Sequence, residues 1–272
     1  MGSAEVVVAS FNLHAGVDGW GRPFDVVEAC KDLQADILVL QESWASEHGE
    51  DLTATVASAL GFSAIARPLA SGRRASPDPR AGASWKPPRD WRGSGHGIYL
   101  DSELPLHETV TRSTRFAEAE RGSWCLAVLS RTPLTDVTVI ELGRLPGDRV
   151  RREAIVGRYD TAGGGLLVVG THMSHLMYGS PAHYRRLSRA LGATTGAGPA
   201  VLAGDMNLWG PAVGALFPAW RRTVRGRTWP SWRPHSQIDH ILLTGPVACR
   251  DAGVVRVGRS DHLAVRARLA LE

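Results

Sequence analysis

The chain has 272 residues, of which 43% are hydrophobic, and its formal net charge is +4. This length and composition allow a substantial buried core, so we expect one domain over residues 1–272. No stretch approaches the roughly 20 apolar residues of a membrane span, and the first residues lack a secretory signal, so we expect a cytoplasmic protein without a membrane span. The three cysteines, Cys30, Cys125 and Cys249, are far apart among apolar neighbours, which predicts buried reduced thiols.

Short apolar strands alternate with three amphipathic helices along the chain. Residues 5–11 are too short for a helix and rich in β-branched residues, so they predict a buried strand. Apolar residues at helical spacing predict helices after Pro23, from Leu52 to a stop at Gly61, and from Pro181 to Gly192. Other short apolar runs predict strands at 35–40, 97–101, 124–130, 135–142, 153–159, 165–171, 199–204, 238–243, 253–257 and 263–269. Many of these strands are apolar on both faces, which indicates packed sheets with helices outside.

Two stretches concentrate positive charge and tryptophan. Residues 71–95 carry six basic and two acidic residues, with four prolines and no apolar period, and predict a long loop inserted in the domain. Residues 220–235 carry five arginines and no acid. Interleaved arginine and tryptophan suit an anionic partner with stackable or apolar parts, but they equally suit solvated loops. Both interpretations stay open.

Polar side chains follow the predicted buried strands abruptly. They are Asn12, Glu42, Thr171-His172, Asp205 with Asn207, Asp239, and Asp261-His262. If these strands lie side by side, the polar residues form one acidic pocket with two histidines, which favours metal-assisted phosphoryl transfer. Taken singly, Asn12 could instead cap a turn and Asp205 a loop.

The predicted pocket indicates a hard divalent cation. Mg²⁺ takes one or two protein carboxylates and otherwise keeps waters and phosphate oxygens, and Glu42 with Asn12 fits that ligand set. Zinc is disfavoured because the cysteines are not near the acids and no His-x-x-x-His pattern is present. Mn²⁺ is a possible substitute for Mg²⁺. Because no serine or cysteine nucleophile motif is present, water is the simplest nucleophile.

Six motifs in order resemble the endonuclease/exonuclease/phosphatase superfamily. They are Ser10-Phe11-Asn12-Leu13, Leu38-Val39-Leu40-Gln41-Glu42, Gly170-Thr171-His172-Met173, Gly204-Asp205-Met206-Asn207, Gln237-Ile238-Asp239-His240-Ile241 and Ser260-Asp261-His262. The resemblance covers nearly the whole chain. It implies an α/β fold of the DNase I-like type, a four-layered sandwich in which two mixed β-sheets pack face to face with helices outside.

The resemblance also implies a role for each site residue. Glu42 holds the metal, and Asn12 and Asp261 contribute to its shell directly or through water. Asp205 positions and helps deprotonate the attacking water, and Asn207 orients the water or the phosphate. His262, supported by Asp239, contacts the scissile phosphate, and His172 stabilises the developing charge or assists the leaving group.

The substrate is less sharply indicated than the reaction. Arginine contacts supply most sequence-independent affinity for nucleic acid, so the basic stretches favour a phosphodiester substrate of that kind. A lipid or small-metabolite phosphate is the alternative, and a non-catalytic binding module is a third. We expect His175, Arg227 and Trp232 to contact the substrate, with a loop or packing role as the alternative for His175. Trp209 is expected to pack beneath the site, and His96 and His240 to be structural. No feature indicates a protein partner, and we expect a monomer.

Overall fold

The computed structural model describes residues 4–19, 22–74, 98–100 (backbone only), 120–146, 148, 150–175, 181–194, 196 and 198–271. Its strands within these ranges are β1 Glu5–Asn12, β2 Ile37–Ser46, β3 Ser63–Arg74, β4 Ile98–Leu100, β5 Glu120–Ser130, β6 Thr135–Gly143, β7 Arg152–Thr161, β8 Gly164–His172, β9 Ala200–Asp205, β10 Arg221–Arg222, β11 Asp239–Thr244, β12 Val247–Val255 and β13 Ala264–Leu271. Its helices are α1 Val26–Asp32, α2 Leu52–Leu60, α3 Pro181–Thr194 and α4 Gly210–Leu216, with a 3₁₀ turn at His14–Gly16. None of these helices is long and apolar enough to cross a membrane.

The strands form two mixed sheets. The first sheet has the order β12-β13-β1-β2-β5-β3-β4, and the second has the order β10-β11-β9-β8-β7-β6. Each sheet contains one parallel pair, β1 with β2 and β8 with β9, while its other pairs are antiparallel. In a parallel pair both strands end at the same edge, so residues that follow them come together there.

The core has three parts, which define four layers. The central part lies between the sheets and joins residues such as Val8 and Val39 of the first sheet to Val168 and Val201 of the second. One outer cluster packs α1 and α2 on the first sheet, and the other packs α3 and α4 on the second. Strands covered on both faces are apolar on both faces, which explains the runs seen in the sequence. The predicted four-layered fold is confirmed.

Several predicted boundaries are wrong for identifiable reasons. Strand β2 continues past Glu42 to Ser46, because a bulge in its pairing with β5 absorbs the irregularity. Strand β3 was not predicted, since its exposed positions and Pro68 obscure the apolar pattern. The first four residues of the predicted 71–95 loop belong to β3, and the others lie outside the described residues. Helix α4 was also missed, because it contains Gly210, Pro211 and Gly214.

The predicted burial of the cysteines is correct at two of three positions. Cys30 and Cys125 are buried, and burial raises the pKa of the Cys30 thiol to about 12 and that of Cys125 to about 11. Cys249 is exposed, because it lies on β12 at the edge of the first sheet. All three are free thiols.

The close approach of the sheets requires glycine at position 170. A Cβ added there would lie 2.5 Å from Val128 Cγ2 and 3.0 Å from Val39 Cγ1, both in the first sheet. We expect Gly170→Ala to lower the free energy of unfolding by about 1–3 kcal/mol, because branched side chains in a packed core have little room to move. Equilibrium urea unfolding measures this change.

Gly192→Ala is the matched control. Position 192 lies in α3, where an added Cβ would meet no atom within 4 Å. The same substitution should there be neutral or stabilising by up to about 1 kcal/mol. Equal losses in the two variants would contradict the argument from sheet packing.

Candidate active site

The polar residues predicted from the strand ends meet at one edge of the sandwich. Asn12 ends β1 beside Gln41 of β2, and His172 ends β8 beside Asp205, the last residue of β9. Asp239 begins β11 rather than ending it, but β11 runs antiparallel to β9 and so brings Asp239 opposite Asp205. The sequence pattern therefore predicted the correct edge for Asp239, although this residue begins a strand instead of following one.

Asp205 lies at the centre of this group and is only 1% exposed. Its Oδ1 accepts a hydrogen bond from the backbone N–H of Asn207 at 2.8 Å, and its Oδ2 accepts one from Asn12 Nδ2 at 3.2 Å. The Nε2 atoms of His172 and His262 lie 3.5 and 3.8 Å from the same Oδ2. One carboxylate therefore contacts residues from both sheets.

Asn12 joins the carboxylates of Glu42 and Asp205. Its Nδ2 also donates to Glu42 Oε1 at 3.0 Å, while its Oδ1 accepts from the backbone N–H of His14 at 3.0 Å. Glu42 has a φ of +53° in the β2 bulge, an unusual conformation for a residue with a side chain. The amide group of Asn12 thus bridges two acids, and its oxygen is directed to the backbone.

His262 is oriented by Asp239. Its Nδ1 lies 3.0 Å from Asp239 Oδ2, which leaves Nε2 on the side of Asp205. The segment carrying His262 is attached to β1 because Ser260 Oγ donates to the Asn12 carbonyl at 2.7 Å. The paired carboxylate fixes both the position of the ring and which nitrogen faces the site.

Asp261 has partners of its own beside the site. Trp229 Nε1 donates to Asp261 Oδ2 at 3.2 Å, and His14 Nδ1 lies 3.8 Å from Asp261 Oδ1. Burial by itself would raise the pKa of Asp261, but the charges of His14 and His262 and the hydrogen bonds hold it below its usual value. Asp261 is therefore ionised.

The two histidines beside Asp205 have opposite charge preferences. Burial would lower the pKa of His262, but Asp239, Asp261 and Asp205 together raise it well above its usual value. Burial lowers the pKa of His172 far below its usual value, and the positive charges of Arg152 and His262 lower it further. His262 is thus an imidazolium at neutral pH and His172 a neutral imidazole.

Asp205 titrates near neutrality. Burial raises its pKa to about 7, and the negative charges of Asp239 and Glu42 contribute, while His262 opposes the shift. The raised pKa shows that a negative charge is poorly stabilised at this buried position. A divalent cation bound beside the carboxylate would stabilise that charge, so the electrostatics of the site suit one.

Two overlapping groups of residues could hold such an ion. Ligand atoms of Asp205, Asp239 and His262 all lie within 4.8 Å of one another. This group includes an imidazole, which suits transition metals better than Mg²⁺. Glu42 and Asp205, joined through Asn12, instead offer the carboxylate oxygens that Mg²⁺ prefers.

A stack of side chains behind His172 was not predicted from the sequence. The Trp124 ring lies 4.7 Å from the His172 ring, and the Arg152 guanidinium lies 5.4 Å from the centre of the same Trp124 ring. Arg152 is itself buried and paired with Asp148 at 2.9 Å. The sequence signal for Arg152 is a charged residue at the start of an apolar strand. That signal does not identify Trp124 or His172 as its neighbours, because both are distant from Arg152 in the sequence.

The predicted substrate-contacting residues lie in different surroundings. His175 and Arg227 are exposed. Trp232 is 49% exposed and lines a cavity that His262 also lines. The prediction for Trp209 is wrong, because it precedes α4 and is 55% exposed instead of packing beneath the site. His96 lies outside the described residues.

Part of the basic stretch 220–235 is structural. Trp220 is buried, and Arg222 Nη2 donates to Gln237 Oε1 at 2.8 Å. Trp229 is engaged with Asp261. These three residues thus have structural contacts, while Arg221, Arg225, Arg227 and Arg233 are exposed.

Comparison with known proteins shows the family of this chain. A model of the Endonuclease/Exonuclease/phosphatase family matches residues 9–262. The chain belongs to this family. Members of the endonuclease/exonuclease/phosphatase family are hydrolases that act on phosphate esters. No curated protein matches the chain.

Solved structures of the same family share the fold. An endonuclease/exonuclease/phosphatase from Beutenbergia cavernae DSM 12333 is 21% identical, with 98% of this chain and 72% of that chain covered and a TM-score of 0.61. A mannosyl-6-phosphatase of Bacteroides thetaiotaomicron VPI-5482 is 16% identical, with 97% and 99% covered and a TM-score of 0.62. D. rerio TDP2, complexed with a single-strand DNA product, is 13% identical, with 98% and 99% covered and a TM-score of 0.59. At these identities the likeness shows the fold alone.

His240 supports the loop that carries Asn207, and its burial should make the fold sensitive to acid. It is 1% exposed, as expected of a structural residue, and its Nε2 donates to the Leu208 carbonyl at 2.9 Å. Burial lowers its pKa to about 4. The unfolded chain binds a proton at this histidine below about pH 6.5 and the folded chain does not, so stability falls as the pH drops from 6.5 towards 4.

His240→Gln removes this proton-linked loss. At about 1.4 kcal/mol per pKa unit, the shift corresponds to roughly 3 kcal/mol across that window. We expect the variant to be less stable than wild type at pH 7 but to lose less between pH 6.5 and 4. Urea unfolding at several pH values measures both slopes, with His48→Gln as a control for the loss of an exposed histidine. An unchanged slope in His240→Gln would contradict the prediction.

Proposed function

We propose that this chain is a Mg²⁺-dependent phosphodiesterase that hydrolyses nucleic acid by attack of water on phosphorus. The observation that supports it most is the surroundings of Asp205, a buried carboxylate in contact with Asn12 and two histidines of opposite charge preference. A proton acceptor, a cation and a hydrogen-bonding amide around one point are what an in-line displacement at phosphorus needs.

Glu42 would hold the metal ion, with Asn12 and Asp261 contributing to its shell. The orientation of the Asn12 amide favours an indirect contribution, since its NH₂ group faces the acids. When bound, the ion supplies positive charge at the phosphate oxygens and lowers the pKa of a water molecule. Mn²⁺ could replace Mg²⁺ on the same oxygen ligands.

Each remaining residue has a role that its surroundings support. Asp205 accepts the proton of the attacking water as the new P–O bond forms, because its buried carboxylate lies between Asn12 and the two histidines. The His262 imidazolium, oriented by Asp239, contacts the phosphate and stabilises its developing negative charge. Asn207, whose Nδ2 lies 3.3 Å from His172 Nε2, holds the water or the phosphate in place. His172 assists while the P–O bond to the leaving group breaks.

Nucleic acid is the substrate favoured by exposed groups that can contact a polyanion. Arg227 and the half-exposed Trp232 would meet the phosphate backbone and a base, and His175 a phosphate. The fold shared with D. rerio TDP2, which is complexed with a DNA product, is compatible with this substrate. We expect the protein to act as a monomer.

A small-metabolite phosphate is the second candidate. The cavity beside His262 has a volume of about 150 Å³, which suits a compact group better than an extended strand. The fold shared with the Bacteroides mannosyl-6-phosphatase is compatible with this substrate class. Nicking of supercoiled plasmid by the purified protein distinguishes the two, because only a nuclease converts the plasmid to its open circular form.

Asp205→Asn and His262→Gln test the mechanism. We expect each to lower the rate of Mg²⁺-dependent plasmid nicking by at least about 100-fold, since each removes a proton acceptor or a cation at the reacting phosphate. EDTA should abolish the wild-type activity. Asp160→Asn is the matched control, because Asp160 is an exposed aspartate of β7 paired with Arg158. Wild-type rates in either site variant would contradict the mechanism.

Asp205→Asn should also change stability in the opposite direction to activity. A carboxyl group whose pKa is raised on folding destabilises the folded chain once the pH rises above its unfolded value, near 3.8, towards 7. In EDTA at pH 8 we therefore expect the variant to be more stable than wild type, by about 1–3 kcal/mol. Thermal unfolding measures this difference. A variant that is less stable than wild type would contradict the prediction, and its loss of activity could then result from misfolding.

A further inference from the structure

A cavity adjoins the candidate site on the side of His262. Its volume is about 150 Å³, which is more than a single water molecule needs. It is formed by three separate chain segments, which contribute Asp18, Arg22, Ser231, Trp232, and residues 256–260 and 262–263. The cavity and the candidate site thus share His262, whose Nε2 lies 3.8 Å from Asp205 Oδ2.

The cavity wall is positively charged. Of the residues that the structure describes, Arg22, Arg256 and Arg259 line it against one carboxylate, that of Asp18, which pairs with Arg22 at 2.6 Å. Arg256 and Arg259 have no carboxylate partner among the described residues. Each donates from Nη2 to a backbone carbonyl at 2.8 Å, that of Ser231 or of Pro23. A guanidinium has five N–H donors, so both retain charge and donors for an anion.

Hydrogen bonds hold the cavity wall in one arrangement. Ser231 Oγ donates to the Ser260 carbonyl at 2.6 Å, and the backbone N–H of Ser231 donates to the Asp261 carbonyl at 2.6 Å. These bonds, with that from Arg256 to Ser231, connect the turn carrying Trp232 to the segment carrying His262. The guanidinium groups are thus held before a ligand arrives, which reduces the entropy lost on binding.

Trp232 gives the cavity an apolar wall. A Cβ added at Gly19 would lie 2.3 Å from Cζ3 of the Trp232 ring, so the ring lies directly on the backbone of a residue without a side chain. The ring is nevertheless part of an exposed residue, with 49% of Trp232 accessible. Its accessible surface can contact the planar or apolar part of a substrate beside the arginines.

We propose that this cavity is a second phosphate subsite, in which Arg256 and Arg259 bind a phosphate of the substrate other than the one hydrolysed. The organic group between the two phosphates then lies against Trp232. The proposal rests on the proposed function, because it requires the scissile phosphate at His262. It narrows the substrate class to phosphate esters with a second phosphate, such as a nucleic-acid strand or a small bisphosphate.

The test compares substrates that differ only in the second phosphate. One pair is the 4-nitrophenyl ester of thymidine 5′-phosphate with and without a 3′-phosphate. The other pair is 4-nitrophenyl butyl phosphate with and without a terminal phosphate on the butyl chain. For each pair, the preference is the ratio of kcat/KM with and without the second phosphate, measured from nitrophenol release in Mg²⁺.

We expect the wild type to prefer the substrate with the second phosphate. In the double variant Arg256→Gln/Arg259→Gln this preference should fall about tenfold, mainly through KM, because charge-assisted hydrogen bonds to the second phosphate are lost. Arg250→Gln is the matched control, since Arg250 is an exposed arginine of β12 outside the cavity, and it should keep the wild-type preference. Thermal unfolding checks that the variants are folded.

The outcomes separate the two levels of the proposal. A preference for the second phosphate in the thymidine pair alone assigns a nucleic-acid strand, and a preference in both pairs assigns a second phosphate on any scaffold. Hydrolysis without a preference, or a preference that survives in the double variant, overturns the subsite but leaves the proposed function standing. No hydrolysis of any of the four substrates overturns the proposed function itself.

Discussion

The burial of Asp205 is the constraint to which the rest of the site responds. A carboxylate that is 1% exposed loses the hydration that stabilises its charge, and this loss is large unless other groups replace the water. Here the replacement comes from the Asn12 amide, the Asn207 backbone N–H and two imidazoles. They offset the loss only in part, so the carboxyl pKa rises to about 7, where it can exchange a proton at neutral pH.

The two-sheet architecture makes this contact set possible. Asp205 and His172 end a parallel pair in the second sheet, while Asn12 ends a strand of the parallel pair in the first. Face-to-face packing, which the absence of a side chain at Gly170 brings close, sets these ends opposite each other. The bulge in β2 then directs Glu42 to Asn12. The outer helices cover the sheets and contribute none of these residues.

The contrast between the two histidines gives the site its asymmetry. Both rings lie near Asp205 and both are buried, yet His262 has Asp239 at 3.0 Å and His172 has the aromatic ring of Trp124 and a nearby arginine. Burial disfavours the charged form of each ring, and at His262 the negative charges of Asp239, Asp261 and Asp205 reverse that effect. His262 is therefore cationic and His172 neutral, which suits the different roles that the two rings would have at a phosphate.

The sequence by itself determined the layered fold, the helices α1 to α3, and the set of polar residues at one edge, because these follow from local periodicity and from motifs in a fixed order. It did not determine β3, α4, or the exposed position of Trp209, since proline, glycine and edge exposure obscure the local pattern. Only the tertiary structure decided the charge of each histidine, the bridging role of Asn12 and the arginine-lined cavity. These depend on distances between residues far apart in the chain, such as Asn12 and Asp205, which no local pattern encodes.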